Sequence, residues 1–208
     1  MLDKDTRNRI IRLIHKEVVP AIGCTEPMAV ALCTAKAAET LGRTPETINV
    51  LLSANILKNA MGVGIPGTGM IGLPIAIALG ALIGKSDYKL EVLKDLTPET
   101  LEAGKQYIAG KHIDIKLKEG ITEKLYIEVC CKAAGSESTA IIAGGHTSFV
   151  YLGKDGKALL DNRTDTTAGE EEEDIRLNMR LVYDFATTAP VEEISFITET
   201  KDYNMKAA

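Results

Sequence analysis

Length, composition and charge already narrow the functions open to this chain. Its 208 residues suffice for one domain of fair size or two small ones, and 45% hydrophobic with 25% charged residues is the balance of an ordinary globular protein. The net charge of −5 leaves no basic excess to neutralise a phosphate backbone, so we expect no nucleic-acid partner.

The N-terminus and the cysteines predict a cytoplasmic protein. Residues 1–7 carry charges where a signal peptide would need an apolar stretch. The four cysteines, with Cys130 and Cys131 adjacent, do not resemble a secreted disulfide framework. In a reducing compartment they are thiols, metal ligands or catalytic groups.

The first half of the chain reads mainly as helix. Apolar residues at helical spacing predict a first helix over about 5–19, and a second one with Thr25 as its N-cap that ends at Gly42. A short strand is predicted at 48–52, followed by a glycine-rich loop and an apolar helix over about 70–83.

The uncharged stretch 60–84 is long enough to cross a bilayer, which raises the alternative of a membrane protein. Its glycines and prolines interrupt it, and the helix that remains suits a buried core better than a span. We therefore expect no membrane partner.

The second half changes to strand periodicity after a helix predicted at 97–110. Alternating apolar residues predict half-buried strands at 113–117, 125–129, 139–143 and 148–152, with a Gly144-Gly145-His146 turn before the last. The acidic stretch 161–174 is predicted to be an exposed loop, followed by a helix at 174–187. The predicted fold class is α+β: N-terminal helices, one of them buried and apolar, packed on a mainly antiparallel sheet of about four to five strands.

Cys24 is the main candidate for chemistry. It stands just before the second predicted helix, whose free N–H groups and dipole favour an anion. A thiol in that position is expected to ionise easily and can serve as base, nucleophile or metal ligand. The alternative is a small apolar residue that fills a turn.

The other cysteines are predicted to be structural. Cys33 lies nine residues after Cys24 on the same helix, about 13 Å away, so the two cannot share a small metal centre. Cys130 and Cys131 are strand neighbours that point to opposite faces, and we predict no metal ligands in this chain.

The glycine loop and one histidine are weaker candidates. Residues 62–67 match a dinucleotide-binding fingerprint, but their context does not, because residues 55–61 separate them from the strand and Pro66 lacks an N–H group. The loop either presents N–H groups to a small anion, such as an amino-acid carboxylate, or simply allows helices to pack. His146 lies in a turn, where it reaches a cavity or is merely solvated.

Four segments together resemble the L-cysteine desulfidases and the related iron–sulfur L-serine dehydratases. They are EVVPAIGCTEP at 17–27, NAMGVGIPG at 59–67, GHT at 145–147 and DFATTAP at 184–190. Members of that family release ammonia from L-cysteine or L-serine by β-elimination. The resemblance implies a lyase in which Cys24 takes the substrate α-proton, and it leaves the choice between the two substrates open.

The resemblance also implies parts outside this chain. It implies a 4Fe-4S cluster whose ligands belong to an absent C-terminal half, so that residues 1–208 are one N-terminal domain of a longer enzyme, inactive alone. A homodimer is a further expectation, and the alternative function is a non-catalytic amino-acid-binding or regulatory domain of the same fold. The residues predicted to hold the small amino-acid substrate are Thr25, Glu26, Ser53, Asn55, Asn59, Gly67, Thr68, His146 and Thr147.

Overall fold

The computed structural model describes residues 2–110, 112–163 and 175–207. Its contacts group the chain into two compact units, Ala21–Thr166 and Met1–Pro20 with Thr167–Ala208. The predicted α+β class is confirmed by helices and a mainly antiparallel sheet. That residues 1–208 form one domain of a longer enzyme stays a prediction.

A mixed sheet is the centre of the larger unit. Its strands are β1 (Thr47–Leu52), β4 (Ile113–Leu117), β5 (Tyr126–Ala133), β6 (Ser136–Ala143), β7 (Phe149–Lys154) and β8 (Lys157–Asp161), and a separate hairpin holds β2 (Gly64–Ile65) and β3 (Met70–Ile71). In the described residues the sheet has six strands in the order β4-β1-β5-β6-β7-β8, all antiparallel except that β4 runs parallel to β1. Strands that are consecutive in the chain pair antiparallel from β5 to β8, and β8 was not predicted.

Helices cover one face of this sheet. The helices of the larger unit are α2 (Thr25–Leu41), α3 (Ala54–Ala60), α4 (Leu73–Ile83) and α5 (Pro98–Ala109), with a 3-10 segment at Ser86–Glu91. The side chain of Ser138 in β6 is buried and donates to the Ala37 carbonyl of α2 at 2.7 Å. A Cβ on Gly80 in α4 would lie 2.6 Å from the carbonyl oxygen of Ala31 in α2. The absence of a side chain at Gly80 therefore allows the backbones of α2 and α4 to come into contact.

The ends of two helices differ from the predicted ones for local reasons. The apolar helix begins at Leu73 rather than at Met70, because Met70 and Ile71 pair as β3 and Gly72 turns the chain with a φ of 88°. Thr25 is the first residue of α2, and its predicted place as N-cap is taken by Cys24. None of the helices in the described ranges has the length and apolar character needed to cross a bilayer.

The smaller unit is helical in its described residues. Its helices are α1 (Lys4–Glu17), α6 (Met179–Thr188), α7 (Val191–Ile194) and α8 (Glu199–Ala207), with a 3-10 segment at Ser195–Thr198. Arg7 of α1 donates to both carboxylate oxygens of Glu193 in α7, at 2.8 and 3.0 Å. The helix predicted at 174–187 corresponds to α6, and most of the predicted acidic loop, residues 164–174, lies outside the described residues.

Candidate functional site

The N-terminus of α2 and the C-terminal part of α3 bring together four side chains, those of Cys24, Thr25, Glu26 and Asn59, which we name the Glu26 site. Gly23 allows the sharp entry to α2 with a φ of 84°, a value that favours glycine. Cys24 is the N-cap, but its side chain makes no cap hydrogen bond. All four side chains of the site are half-buried, so they remain within reach of a ligand.

Hydrogen bonds in the Glu26 site converge on one carboxylate. The Cys24 thiol donates to Glu26 Oε2 at 3.0 Å, and the Thr25 hydroxyl donates to the same oxygen at 3.2 Å. The Asn59 amide donates to Glu26 Oε1 at 3.2 Å. The carboxylate is thus held in one orientation by residues of two helices.

The pKa values of Glu26 and Cys24 are shifted in opposite directions from their ordinary values. The hydrogen bond from Cys24 lowers the pKa of Glu26 below its ordinary value, so the carboxylate is charged at neutral pH. Burial, and then the bond to the Glu26 carboxylate, raise the pKa of the Cys24 thiol. The expectation of an easily ionised thiol is therefore wrong, because burial of the sulfur, together with the neighbouring carboxylate, outweighs the helix N-terminus.

An open groove of about 360 Å³ lies next to this segment of the chain, and we name it the apolar groove. It is lined by Ile22, Pro66, Gly67, Leu93, Lys94, Leu96, Thr97, Pro98 and Leu101. A Cβ on Gly23 would lie 2.7 Å from Pro66 Cγ, so the turn before Cys24 packs directly on the wall of the groove. Of the predicted substrate-binding residues, Gly67 lies in this groove.

Two of the hydroxyl groups predicted to bind substrate, those of Ser53 and Thr68, already form hydrogen bonds with backbone groups inside the fold. The buried Ser53 side chain caps α3 and donates to the Lys124 carbonyl at 2.8 Å. The buried Thr68 hydroxyl donates to the Ile65 carbonyl at 2.6 Å and accepts from the Met70 N–H at 2.9 Å, closing the β2–β3 turn. Asn55 is exposed on α3. The structure brings none of these three into a hydrogen bond with Glu26 among the residues it describes.

His146 and Thr147 lie in the β6–β7 turn, as predicted, and both are half-buried. The Gly144 N–H donates to the Leu125 carbonyl, and the Ser53 N–H donates to the Tyr126 carbonyl, so this turn and the start of α3 share one end of the sheet. Within the described ranges no hydrogen bond joins either residue to the Glu26 site. Their part in binding stays a prediction.

The remaining cysteines have the surroundings that the sequence predicts. Cys33 and Cys131 are fully buried in the core, and Cys130 is half-exposed on the opposite face of β5. In the part of the chain that the structure describes, no group of three or more His, Cys, Asp or Glu side chains could hold a metal ion. The described residues therefore do not fit an iron–sulfur cluster, and that cofactor stays a prediction about another part of a longer protein.

Comparison with known proteins points to a different group from the one the motifs suggest. The chain is similar to the UPF0597 proteins. That of Bacteroides fragilis is 66% identical over 207 residues, that of Parabacteroides distasonis 58% over 210 and that of Porphyromonas gingivalis 48% over 213. Each match covers 100% of this chain but only 48% to 49% of the relative, so the chain spans about half the length of these relatives. No family model matches the chain, and no solved structure matches it.

These relatives contradict the resemblance to desulfidases and dehydratases. All of them carry the name UPF0597 protein, which states no activity, and none carries a dehydratase or desulfidase name. The proposed β-elimination on L-cysteine or L-serine falls with that resemblance, since it came from the family and not from the geometry. That Cys24 is catalytic, and that the chain is part of an enzyme, stay predictions.

Sequence reasoning missed α3 and most of the apolar groove. A signal for α3 was present, because Ser53 is a favourable N-cap directly before ANILKNA at 54–60. The groove gave no such signal, since it joins segments around residues 22, 66 and 96 that are far apart in the chain.

Proposed function

We propose that the Ala21–Thr166 unit binds a small amino compound, such as an amino acid, through the Glu26 carboxylate. The observation that carries this proposal is an ionised, half-buried carboxylate that two helices hold in a fixed orientation. An ammonium group is the natural partner for such a carboxylate, and hydrogen bonds between charged groups are about twice as strong as neutral ones.

The hydrogen-bond inventory of the carboxylate leaves room for a ligand. Each carboxylate oxygen accepts about two hydrogen bonds. Oε2 of Glu26 already accepts from the side chains of Cys24 and Thr25, whereas Oε1 accepts from one side chain, that of Asn59, among the described residues. The free position on Oε1 is therefore where we place the ammonium group of the ligand.

The proposal also predicts that ligand binding changes the pKa of the Cys24 thiol. In the free protein its raised pKa keeps the thiol neutral and donating to Glu26. A bound ammonium group offsets the negative charge of Glu26 and so lowers the pKa of the thiol. Proton transfer by Cys24 would then depend on the presence of the ligand.

Isothermal titration of the 208-residue chain with a panel of amino acids tests the proposal. The panel contains L-alanine, L-serine and L-leucine. We expect measurable binding of at least one of them and, for Glu26→Gln, a loss of affinity of tenfold or more, because a hydrogen bond to a charged group contributes about 1.5–3 kcal/mol.

The matched control is Glu137→Gln. Glu137 is exposed on β6, where it pairs with Lys132 at 3.0 Å, and it shares no hydrogen bond with the Glu26 site among the described residues, so the same change of charge there should leave binding unaltered. Absence of heat for the whole panel, or equal affinities of the Glu26→Gln variant and the parent chain, would overturn the proposal.

We also propose a cytoplasmic location. All four cysteines are free thiols, and Cys24 and Cys130 are half-exposed, a state that a reducing compartment preserves. Osmotic shock of cells that express the protein should leave it in the cell fraction. Its release with periplasmic proteins would contradict this location.

A further inference from the structure

The strand β4 forms an open edge of the sheet. It is the first strand in the order β4-β1-β5-β6-β7-β8, and among the described residues it pairs with β1 alone. An open edge presents a row of unpaired N–H and C=O groups that can pair with another strand. The opposite edge, at β8, is less suited to this, because its pairing with β7 contains a register shift that interrupts the ladder. The register of β4 with β1 contains no such shift.

The hydrogen bonds between β4 and β1 show which backbone groups face outward. The Lys118 N–H donates to the Leu52 carbonyl at 2.8 Å. The Ile48 N–H donates to the His112 carbonyl at the same distance. Because successive residues of a strand direct their backbone groups to opposite sides, the even-numbered residues of β4 face β1. The N–H and C=O groups that point to the open edge therefore belong to Ile113, Ile115 and Leu117.

These outward groups are available for pairing. In the part of the chain that the structure describes, no hydrogen bond from another element reaches the backbone of Ile113, Ile115 or Leu117. The side chain of Leu117 at the end of the strand is 46% exposed. The edge is thus open to a second strand along its whole length.

The side chains of β4 alternate between an apolar and a charged face. Ile113 and Ile115 pack against the core, and Leu117 follows them on the same face by alternation. Asp114 and Lys116 lie on the other face, where they form an ion pair at 2.6 Å and both remain more than half exposed. A negative and a positive charge therefore stand on either side of Ile115.

We propose that β4 pairs with β4 of a second copy of this chain, antiparallel and about a two-fold axis at Ile115. The outward backbone groups of the two strands then meet, with Ile115 opposite its own copy and Ile113 opposite the partner's Leu117. In this register Asp114 lies opposite the partner's Lys116, and the same pair recurs on the other side of the axis. The two sheets join into one continuous sheet. This interface is independent of the Glu26 site.

Charge selects this register over its neighbours. Outward backbone groups can also meet when one strand is shifted by two residues in either direction. One shift would set Asp114 opposite its own copy, and the other would set Lys116 opposite its own copy. Like charges directly opposite each other destabilise a strand pair, whereas opposite charges stabilise it. The sequence IDIKL at 113–117 is thus self-complementary only about Ile115.

Sedimentation equilibrium of the 208-residue chain over a range of concentrations tests the proposal. We expect twice the mass of one chain at the higher concentrations. Asp114→Lys places like charges opposite each other on both sides of the axis and should weaken the dimer tenfold or more. Combining Asp114→Lys with Lys116→Asp exchanges the two signs, restores the complementarity and should return the affinity to within about threefold of the parent chain.

Two further variants separate the backbone from the charges. Ile115→Pro removes an N–H that points to the open edge and none that bonds to β1, so it should also weaken the dimer. The matched control is Glu137→Lys on β6, which breaks an equally exposed ion pair, that with Lys132 at 3.0 Å, and should leave the dimer unchanged. If circular dichroism shows that Asp114→Lys is unfolded, Lys116→Asp replaces it, because it also sets like charges opposite each other.

Hydrogen exchange locates the interface. The peptide that contains β4 should exchange its amide hydrogens more slowly at concentrations where the dimer forms, whereas the peptide that contains β8 should not change. The mass of a single chain at every concentration would overturn the proposal and leave this edge to another strand. A dimer that is insensitive to Asp114→Lys and Ile115→Pro, or that the double substitution fails to restore, would overturn it as well.

Discussion

Replacing Glu26 by Gln should make Cys24 more reactive. The glutamate charge lies 3.0 Å from the Cys24 sulfur and disfavours the thiolate. With the dielectric constant of water, which gives the smallest effect for a half-buried pair, Coulomb's law gives about 1.4 kcal/mol at this distance, which corresponds to about tenfold more thiolate once the charge is removed. Because a less basic thiolate is also a weaker nucleophile, we expect a net increase of about threefold in the alkylation rate.

Alkylation of the native protein by iodoacetamide at neutral pH, followed by mass spectrometry of the Cys24 peptide, measures this rate. Cys130 is half-exposed on another element and serves as an internal reference whose rate should not change. Cys33 and Cys131 are buried, and burial raises the pKa of Cys131 to about 12, so both should stay unmodified. An unchanged or slower reaction of Cys24 in the variant would refute the electrostatic argument.

Three further predictions concern stability and are tested by urea denaturation. Gly80→Ala should destabilise the fold by about 1–3 kcal/mol, because the added Cβ would meet the Ala31 carbonyl of the facing helix. The control Gly62→Ala has open space around it and should cost less than about 1 kcal/mol. Equal effects of the two substitutions would contradict the close contact between the helices. Ser138→Ala should cost about 0.5–1.5 kcal/mol by removing a buried hydrogen bond between the sheet and the Ala37 carbonyl of α2, and a neutral effect would show that this bond does not stabilise the fold. The pKa of Glu26 is lower in the folded protein than its ordinary value of 4.5, so the stabilisation that its ionised carboxylate contributes is complete above pH 4.5 and is lost as the pH falls below it. Glu26→Gln should therefore make the urea midpoint of unfolding less sensitive to acid. Identical pH profiles of the midpoint for the variant and the parent chain would refute this.

The sequence predicts elements whose side chains follow a regular period. The alternation at Ile113–Leu117 and the Thr97-Pro98-Glu99 start of α5 both appear in the structure, because a half-buried strand and a capped helix are set by local residues. β8 was missed because Lys157–Asp161 shows no alternation and is mostly exposed as the outer strand of a hairpin. The parallel pairing of β4 with β1 was not predicted either, since pairing between distant strands leaves no local pattern.

The candidate site could be predicted only in part. The position of Cys24 before a helix was correct, because helix starts have local signals. Its ionisation was not, because the direction of the pKa shift depends on how deeply the fold buries the sulfur and on where the Glu26 side chain lies. Ser53 and Thr68 look like ligand-binding hydroxyls in a sequence, and only the folded chain shows that backbone groups already occupy them.

The place of β1 in the sheet has a consequence for synthesis on the ribosome. Its two neighbours are β4 and β5, so the second partner of β1 is complete only when Ala133 has emerged. Until then the apolar surfaces of α2, which is translated before β1, and of α4, which is translated after β1 but before β5, have no complete sheet to cover them. Nascent chains that end before β5 should therefore bind chaperones, and release from them should begin once β5 can pair.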